Sequence, residues 1–496
     1  MIPPLSLLPS GTLHRDVMAS IVVFLVAVPL CVGIAVASDV PAELGLVTGI
    51  VGGLVVGVLP GSSLQVSGPA AGLTVLVYEA VHTHGPAVLG VVVLSAGILQ
   101  VALSAMRCGR WFRAISVTVV QGMLAGIGLV LIFGQAYTLA DSAAPSGGLE
   151  KIGGLPRLVA DIVSGGAARS AFAVGTGTVL VLVLWKRMTG RFSRMLPAPL
   201  AAVALATAAV AVSGLPVATV EVRGVIESVQ PPGLGDFFLL GEVAVLGTVA
   251  AFALIASAES LFSAAAVDRM HDGPHTDYNK ELMAQGTGNA VCGMLGALPM
   301  TAVIVRSTAN VQAGACTKLS RVLHGVWLLL FAALLPATLG IIPVAALAGV
   351  LVHAGAKLLP VRQLGPLWRE YRGEAVVLIV TSLAVVVTNM FEGVLLGLLL
   401  AVVKTAWETS AIHVVVDDGA SPRIGVRMTG SATFLRLPEI LDPLEALPND
   451  RPIELDLSGL QHLHHACRTA LTGWAQQHNE AGVEHVRVRI PPSASA

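Results

Sequence analysis

Two short stretches, "SGPAAGLTVLVYEA" at 67–80 and "MTAVIVRSTANVQAG" at 300–314, decide the predicted fold. Each is apolar but only about 14 residues long, which as a helix is roughly 21 Å. A helix of that length is too short to cross the ~30 Å hydrocarbon core of a bilayer. Each stretch also follows turn-forming residues, "GSSLQV" at 61–66 and "GALP" at 296–299. We therefore expect two half-helices that begin near the middle of a membrane.

The composition of the chain is that of a membrane protein. Of its 496 residues, 55% are apolar and only 12% are charged, and the mean hydropathy is +0.81. A soluble protein carries about 25% charged residues. The five cysteines are scattered without a Cys-x-x-Cys pair, so neither a disulfide framework nor a thiolate metal site is indicated. We expect no cofactor and no nucleic-acid partner.

Fourteen apolar segments are predicted to span the membrane. They lie at roughly 15–38, 43–60, 68–81, 86–106, 114–136, 169–187, 196–214, 240–267, 280–298, 301–314, 319–338, 343–359, 374–390 and 392–411. The two short segments are the third and the tenth, seven positions apart. This spacing is typical of a 7+7 inverted repeat with broken helices, here over about 15–214 and 240–411.

The charges of the loops predict the orientation of the chain. Every second loop is rich in Lys and Arg, whereas the loops between them are poor in both. Cytoplasmic loops carry this excess of positive charge, so we place the N-terminus in the cytoplasm and the protein in the inner (plasma) membrane. The basic positions are Arg107, Arg110, Arg113, Lys186, Arg187, Arg191, Arg194, Lys318, Arg321, Lys357, Arg362, Arg369 and Arg372.

After about residue 411 the pattern changes to that of a soluble domain. Short β-branched stretches at 412–418, 424–428, 452–459 and 486–490 predict strands, and 466–482 predicts an amphipathic helix. We expect a small α/β domain over 412–490, followed by a frayed tail at 491–496. Because it follows an inward-facing span, this domain is predicted to be cytoplasmic.

The starts of the two half-helices predict an anion site. A helix N-terminus carries partial positive charge and unpaired N–H groups, so two facing N-termini attract an anion. Ser67 and Thr301 are the predicted caps, with Pro69 in the first turn, and Arg306 adds a fixed positive charge. Gln65 is expected to donate a hydrogen bond to the substrate. The predicted substrate-binding residues are Gln65, Gly68, Pro69, Ala70, Ala71, Thr301, Ala302, Val303 and Arg306.

A lone carboxylate, Glu259, lies in the eighth span within "ASAESLFSAAAVD" at 256–268. A charged side chain at the bilayer centre is costly unless it is paired, hydrated or protonated. Glu259 is therefore expected to face the protein interior, where it can carry a proton or bind a cation. Ser263 lies four residues further on the same helix face, and the two are the predicted coupling-ion residues. By contrast, we interpret Asp268, His271, Asp272, His275 and Asp277 as a solvated loop rather than a metal site.

The chain resembles the SulP anion permease family. The similarity covers about 15–490 and is carried by "GSSLQVSGPAAGLTVLV" at 61–77 and by the segment from "ESLFSAAAVDRM" at 259–270 through 279–320. The resemblance implies core and gate subdomains, substrate between half-helices three and ten, an elevator-like motion and a homodimer. It assigns proton or sodium coupling to Glu259, assisted by Ser263. Val303 and Ile304 replace the small or hydroxyl residues of sodium-coupled relatives, which favours protons.

The C-terminal domain resembles a STAS domain, with "LDLSGL" at 455–460 as its hallmark. The position that is phosphorylated in signalling relatives is His465 here, so switching by serine phosphorylation is not expected. "TFLRLPEI" at 433–440 resembles the carbonic-anhydrase-associated bacterial branch and favours bicarbonate as substrate.

The predicted function is secondary active transport of a small inorganic oxyanion, bicarbonate or sulfate, by proton symport, and not an enzymatic activity. Three alternatives stay open: a dicarboxylate symporter, an anion exchanger or channel, and a sodium-coupled bicarbonate transporter. A nucleobase permease is disfavoured because Arg306 stands where that class has an acid. A membrane scaffold that recruits a cytoplasmic partner through the STAS-like domain is a further alternative.

Overall fold

The computed structural model describes residues 11–110, 116–145, 147–185, 187, 197–222, 224–388, 390–419, 423–448, 450–481 and 486–489. The predicted loop charges Arg113, Lys186, Arg191 and Arg194, and the predicted tail at 491–496, lie outside the described residues. The chain divides into two compact units, an N-terminal unit (Met1–Gly397) and a C-terminal unit (Leu398–Ala496). All of the predicted substrate and coupling residues belong to the N-terminal unit.

The first half of the N-terminal unit contains one broken segment among helices. Its elements are α1 (Thr12–Ala37), α2 (Ala42–Val51, continued by a π-helical turn at Gly52–Val56), β1 (Ser67–Pro69), a 3-10 turn (Ala71–Leu73), α3 (Thr74–His84), α4 (Ala87–Ala105), α5 (Val117–Leu139), α6 (Gly148–Ser164), α7 (Gly166–Trp185) and α8 (Ala198–Ser213). Helix α8 ends at Gly214, whose φ of 63° is left-handed, a conformation that glycine adopts without steric cost.

The second half also contains one broken segment among helices. Its elements are α9 (Val225–Ser228), a 3-10 turn (Leu234–Gly241), α10 (Val243–Asp268), α11 (Tyr278–Met294), β2 (Met300–Ala302), α12 (Ile304–Gln312), α13 (Leu319–Leu334), a 3-10 turn (Pro336–Leu339), α14 (Val344–Leu358), α15 (Val361–Glu370), α16 (Arg372–Val387) and α17 (Met390–Thr409). The strands β1 and β2 pair antiparallel. Both predicted short segments are therefore strand-then-helix segments.

The helical, membrane-protein character of the chain is confirmed. Within the described residues, six helical stretches are long and apolar enough to cross a membrane by length and composition: Thr12–Ala37, Ala87–Ala105, Val117–Thr138, Gly166–Trp185, Val243–Asp268 and Val344–Glu370. The other predicted spans also coincide with helices, all of 17 residues or fewer except the 20-residue α17, and the number of crossings stays a prediction. The sequence interpretation missed α6 and α15, because both are amphipathic and give no continuous apolar run.

Helices α4 and α11 pack with their backbones in direct contact. A β-carbon added at Gly97 would lie 2.3 Å from the backbone nitrogen of Ala290, and one at Gly293 would lie 2.2 Å from that of Leu94. Small residues allow this close approach between helices in a membrane, where dispersion contacts replace the hydrophobic driving force. The α4–α11 pair therefore forms a tight support behind the broken segments.

Gly97→Ala is expected to lower the melting temperature of the protein. The added methyl group meets backbone rather than a movable side chain, and overpacking of this kind costs about 1–3 kcal/mol or more. Gly247→Ala in α10 is the matched control, because nothing lies within 4 Å of its β-carbon position. Thermal unfolding of detergent-solubilised protein should show a lower midpoint for Gly97→Ala only; equal midpoints would contradict the described packing.

Lys318 and Arg321, which are among the predicted basic loop positions, bind carbonyl groups just after the π-helical turn that continues α2. Arg321 is 2% exposed; its Nε donates to Gly57 O at 3.0 Å and its Nη2 to Leu59 O at 3.0 Å. Lys318 Nζ donates to the same Leu59 carbonyl at 3.2 Å. Arg321 lies inside α13, so its interpretation as a loop charge was wrong, whereas Lys318 is in the connecting segment just before that helix. The carbonyls at a helix C-terminus are unpaired and partly negative, so they attract cations.

The C-terminal unit contains the predicted α/β region. After the end of α17 it comprises β3 (Ile412–Asp417), β4 (Ile424–Ala432), a 3-10 turn (Phe434–Arg436), α18 (Leu437–Glu445), β5 (Ile453–Leu463), α19 (His465–Ala481) and β6 (Arg487–Arg489). The sheet order is β3-β4-β5-β6, with β3 antiparallel to β4 and the other pairs parallel. The predicted strands and amphipathic helix are confirmed, and α18 was missed.

The stretch "LDLSGL" lies in β5. The Ser458 hydroxyl and N–H both donate to Asp456 Oδ1, at 2.5 and 3.0 Å. These hydrogen bonds hold the pKa of the Asp456 carboxyl below its usual range, with smaller contributions from Arg427 and Arg489. His465, at the predicted phosphorylation position, is the exposed first residue of α19. The assignment of this unit as a STAS domain stays a prediction.

Candidate functional site

The two broken segments meet at their starts. In the β1–β2 pair Gly68 lies opposite Thr301, and the pairing continues as Val303 N–H donates to Val66 O at 2.9 Å. This places the beginnings of α3 and α12 side by side within the N-terminal unit. The predicted juxtaposition of two half-helix starts is thus present in the structure.

The predicted helix caps were wrong. Ser67 and Thr301 lie in paired strands, and no side-chain cap is found at the 3-10 turn that begins at Ala71 or at α12, which begins at Ile304. Pro69, expected in a first helical turn, is the last residue of β1. A proline favours extended backbone in the residue before it. Pairing two extended segments also satisfies the backbone groups of both, which buried backbone away from water requires.

Three of the predicted backbone donors are already occupied. The Ala70 N–H donates to Pro299 O at 3.3 Å, and the Ala302 N–H donates to the Ser260 hydroxyl at 3.1 Å. The Val303 N–H takes part in the strand pairing described above. These residues build the scaffold of the site, so the N–H groups that remain for a ligand lie further along each helix.

The unpaired N–H groups belong to the first turns that follow the strands. The first helical hydrogen bond is donated by Leu73 in one segment and by Ser307 in the other. The N–H groups of Ala71 and Gly72, and those of residues 304–306, precede these bonds and have no partner within their own helices. Two such sets at neighbouring helix starts form the anion-attracting geometry that the sequence predicted, displaced by about two residues.

Amide side chains hold the strands in place, and sequence reasoning missed them. Met300 N–H donates to Asn289 Oδ1 at 2.7 Å, and Asn289 Nδ2 donates to Met300 O at 3.1 Å. Gln285 Nε2 donates to the Ser67 hydroxyl at 2.7 Å. Gln285 and Asn289 are four residues apart and share one face of α11. Two amide residues four positions apart within one predicted span are the sequence feature from which this role could have been predicted.

Glu259 lies at the start of the first broken helix. A β-carbon added at Gly72 would be 3.0 Å from Glu259 Oε2, and the Thr301 hydroxyl lies beside the same carboxyl group. Among the described residues, Glu259 Oε2 makes no hydrogen bond of normal geometry, and the Thr301 hydroxyl is the side-chain group that interacts with this carboxyl group. The carboxyl group therefore occupies the positive end of the helix that an anion would also occupy.

Arg306 is fully buried and makes no salt bridge among the described residues. Its residue is 0% exposed, and none of its three guanidinium nitrogens has a hydrogen-bond partner in the described part of the chain. The guanidinium lies against Gly68, where a β-carbon would be 1.9 Å from Nη1. The Cys31 thiol and the His324 ring interact with this guanidinium, and both ring nitrogens of His324 have no hydrogen-bond partner among the residues that the structure describes. The site thus holds a positive charge that the protein does not neutralise locally.

The structure places Gln65 against α10 and Ser263 one turn after Glu259. The amide nitrogen of Gln65, predicted to bind the substrate, donates to the Ser260 carbonyl at 2.8 Å and so holds the segment before β1 against α10. Its Oε1 has no partner among the described residues. Ser263 is 6% exposed and lies one turn after Glu259 in α10. Their roles toward substrate and coupling ion stay predictions.

The loop that superficially resembles a metal site is organised by hydrogen bonds. The two carboxylate oxygens of Asp268 accept from the Thr276 N–H and hydroxyl at 3.0 and 2.7 Å. Asp277 caps α11 by accepting the N–H groups of Asn279 and Lys280. Both carboxylates therefore have structural partners.

These features define a class of protein. Apolar helices of membrane-crossing length, two broken segments paired at their starts, and an acidic and a basic side chain beside them are typical of a helical membrane transporter with a central ion site. Residues 13–381 match the family model described as the sulfate permease family, and the chain belongs to that family. The expected resemblance is thereby confirmed.

The chain is similar to known members along most of its length. It is 24% identical over 483 residues to the putative sulfate transporter YbaR of Bacillus subtilis, covering 96% of this chain and 94% of the relative. It is 27% identical over 379 residues to the bicarbonate transporter BicA of Picosynechococcus, covering 70% and 62%. Its fold is similar to murine Solute Carrier 26 family member A9, with a TM-score of 0.75, 15% identity and coverage of 97% and 86%. The relatives are named as transporters, in agreement with the expectation that the chain is not an enzyme.

Proposed function

We propose that the protein is a secondary active transporter that binds a small inorganic oxyanion between the starts of α3 and α12 and carries it with a proton on Glu259. The observation that carries this proposal is the position of the Glu259 carboxyl group, whose Oε2 lies beside Gly72 without a hydrogen-bond partner in the described part of the chain. A carboxylate at a helix N-terminus occupies the same positive potential as a bound anion.

The coupling follows from competition between two negative charges. When Glu259 is ionised, its carboxylate takes up the positive end of the first broken helix and repels an incoming anion. When Glu259 is protonated, it is neutral, and the N–H groups of Ala71 and Gly72 are available to the anion. Binding of the anion therefore favours protonation, and protonation favours the anion, by the same coupling free energy. Arg306 attracts the anion from the second broken helix.

A proton is a better candidate than sodium for the coupling ion. Sodium sites in transporters with broken helices use backbone carbonyls and oxygen-bearing side chains. At the start of α12 the side chains of Val303 and Ile304 are hydrocarbons, and they offer no oxygen. The hydroxyl groups that a sodium site would need to recruit are those of Thr301, beside the Glu259 carboxyl group, and of Ser263, one turn from Glu259.

Sulfate is the substrate that we propose within this class. The relative that covers almost the whole chain is named as a putative sulfate transporter, and another is named as a bicarbonate transporter. A bicarbonate ion that moves with a proton is chemically equivalent to carbon dioxide and water, and carbon dioxide crosses membranes unaided. Proton coupling therefore performs useful work on sulfate but little on bicarbonate. If bicarbonate is the substrate, sodium is the coupling ion that we expect.

The finer architecture is part of the proposal. Fourteen crossings in a 7+7 inverted repeat are supported by the matched positions of β1–α3 and β2–α12 in the two halves. An elevator-like motion of a core against a gate, a homodimer, a cytoplasmic N-terminus and a cytoplasmic STAS-like domain are supported by the family membership and the loop charges. We place the protein in the inner membrane.

Uptake of labelled anions into proteoliposomes tests the proposal. Sulfate, bicarbonate and malate are compared under an inward proton gradient, an inward sodium gradient or no gradient, with the membrane potential clamped by potassium and valinomycin. We expect sulfate to accumulate with the proton gradient, about tenfold per pH unit for each proton carried. Uptake that follows sodium, or that requires only an internal counter-anion, would contradict proton symport and favour one of the alternatives.

A further inference from the structure

We propose that Lys151 of α6 forms a second anion subsite on the path to the central site, where a small inorganic oxyanion binds before it reaches the start of α3. Lys151 was not among the predicted functional residues and lies outside the paired strands. The inference rests on the proposed function, because it concerns the route of the same anion.

The first observation is a cavity that leads toward the site. A cavity of about 280 Å³ lies between α1, α3, α5 and α6, with Asp39, Thr74, Tyr78, His82 and Lys151 in its wall. At roughly 30 Å³ per water in the liquid, it has room for about nine waters or for a partly hydrated oxyanion.

The second observation is that this cavity adjoins the start of the first broken helix. A neighbouring void of about 20 Å³ is lined by Ala71 and Gly72, which carry the unpaired N–H groups, and by Glu79 and Lys151. Four residues line both spaces, and Lys151 is the charged one among them, so it lies where the two spaces meet; the others are Val75, Val130 and Leu131. An anion that moves along this route passes the Lys151 ammonium group before it meets the helix start.

The third observation is the state of the lysine itself. Lys151 is 6% exposed, and its backbone carbonyl accepts the Tyr137 hydroxyl at 2.6 Å, which fixes its position on α6. Its ammonium group makes no hydrogen bond or ion pair within 4 Å among the described residues, although it interacts electrostatically with Glu79. A buried charge without a close partner is costly, and a transient anion supplies the missing partner.

The Glu79 carboxylate competes with an anion for the Lys151 ammonium group. Its carboxylate lines the smaller void and interacts with the charge of Lys151. An anion in the subsite must share the ammonium group with Glu79, so the two compete for it. Removal of the lysine charge and removal of the glutamate charge are therefore expected to change anion affinity in opposite directions.

The test measures sulfate counterflow in proteoliposomes, with equal pH on both sides, for Lys151→Gln, Lys151→Arg and Glu79→Gln in the full chain. We expect Lys151→Gln to raise KM about tenfold with the maximal rate within about twofold, as for loss of a single charge contact that affects binding alone. Lys151→Arg should stay near wild type, and Glu79→Gln should lower KM. The ionic-strength dependence of KM should weaken in Lys151→Gln only.

The outcomes separate the two proposals. Counterflow does not need a proton gradient, so the subsite is tested even if coupling to protons fails. An unchanged KM in Lys151→Gln, or equal losses in Lys151→Gln and Lys151→Arg, overturns the subsite while leaving proton symport intact. Thermal unfolding of each variant identifies a folding defect, and a fall in maximal rate without a change in KM also overturns the proposal. If the wild-type protein exchanges no oxyanion, both proposals fall.

Discussion

Glu259→Gln is expected to abolish accumulation of sulfate driven by a proton gradient while sparing sulfate counterflow. Glutamine has the shape and neutrality of a protonated carboxyl group, so the start of α3 stays open to the anion, but it cannot take up or release a proton. Under a gradient of one pH unit, the accumulation ratio should fall from about ten to about one if one proton moves with each anion. Initial rates of counterflow should stay within a few-fold of wild type.

The matched control for this substitution is Glu242→Gln. Glu242 is the exposed residue that precedes α10, the helix that carries Glu259. Its neutralisation removes a carboxylate far along the same helix and should leave proton-driven accumulation unchanged. If Glu259→Gln retains full accumulation under the proton gradient, Glu259 is not the coupling residue and its position in α10 has a structural cause.

Arg306→Met is expected to separate transport from stability. The buried guanidinium lacks hydrogen-bond partners, and a charge at the centre of a membrane protein costs about 2.5–3.5 kcal/mol on insertion scales. Its replacement by an apolar side chain of similar length should therefore leave the melting temperature unchanged or higher. The attraction for the anion is lost, and a charge-assisted contact of about 1.5–3 kcal/mol corresponds to a KM raised roughly 10- to 150-fold.

Arg321→Met is the control, and its melting temperature is compared with that of Arg306→Met. Arg321 is also buried, but its guanidinium donates to the carbonyls of Gly57 and Leu59 at the end of α2. Loss of these bonds leaves buried acceptors unpaired, which is destabilising, so the melting temperature of Arg321→Met should fall. If Arg306→Met loses as much stability as Arg321→Met, Arg306 has a structural role and the proposed attraction for the anion is contradicted.

The sequence predicted those features of the fold that depend on composition and spacing. Apolar runs located the helices, and the two short stretches at positions three and ten located the broken segments. A lone carboxylate in an apolar helix identified Glu259, since such residues are rarely without function. The C-terminal strands followed from alternating β-branched residues. Each of these patterns lies within a short stretch of sequence, so it can be recognised without knowledge of the tertiary contacts.

The details of the site depended on contacts that the sequence does not display. Ser67 and Thr301 have the chemistry of helix caps, but the pairing of residues more than 230 positions apart turns them into strand residues. In the sequence Arg321 has the character of a loop charge, but in the structure its guanidinium binds the carbonyl groups of Gly57 and Leu59. Lys151 lies in an amphipathic helix whose cavity is formed by α1, α3 and α5. In each case a tertiary contact replaced the local preference.

The most direct test of proton–anion coupling is the proton flux itself. Proteoliposomes that contain the wild-type protein and trapped pyranine are held at equal pH inside and outside, with the membrane potential clamped, and sulfate is then added outside. If sulfate enters with protons, the interior becomes acidic as sulfate enters, and Glu259→Gln abolishes this change. Entry of labelled sulfate without internal acidification of the wild-type liposomes would contradict proton–anion coupling.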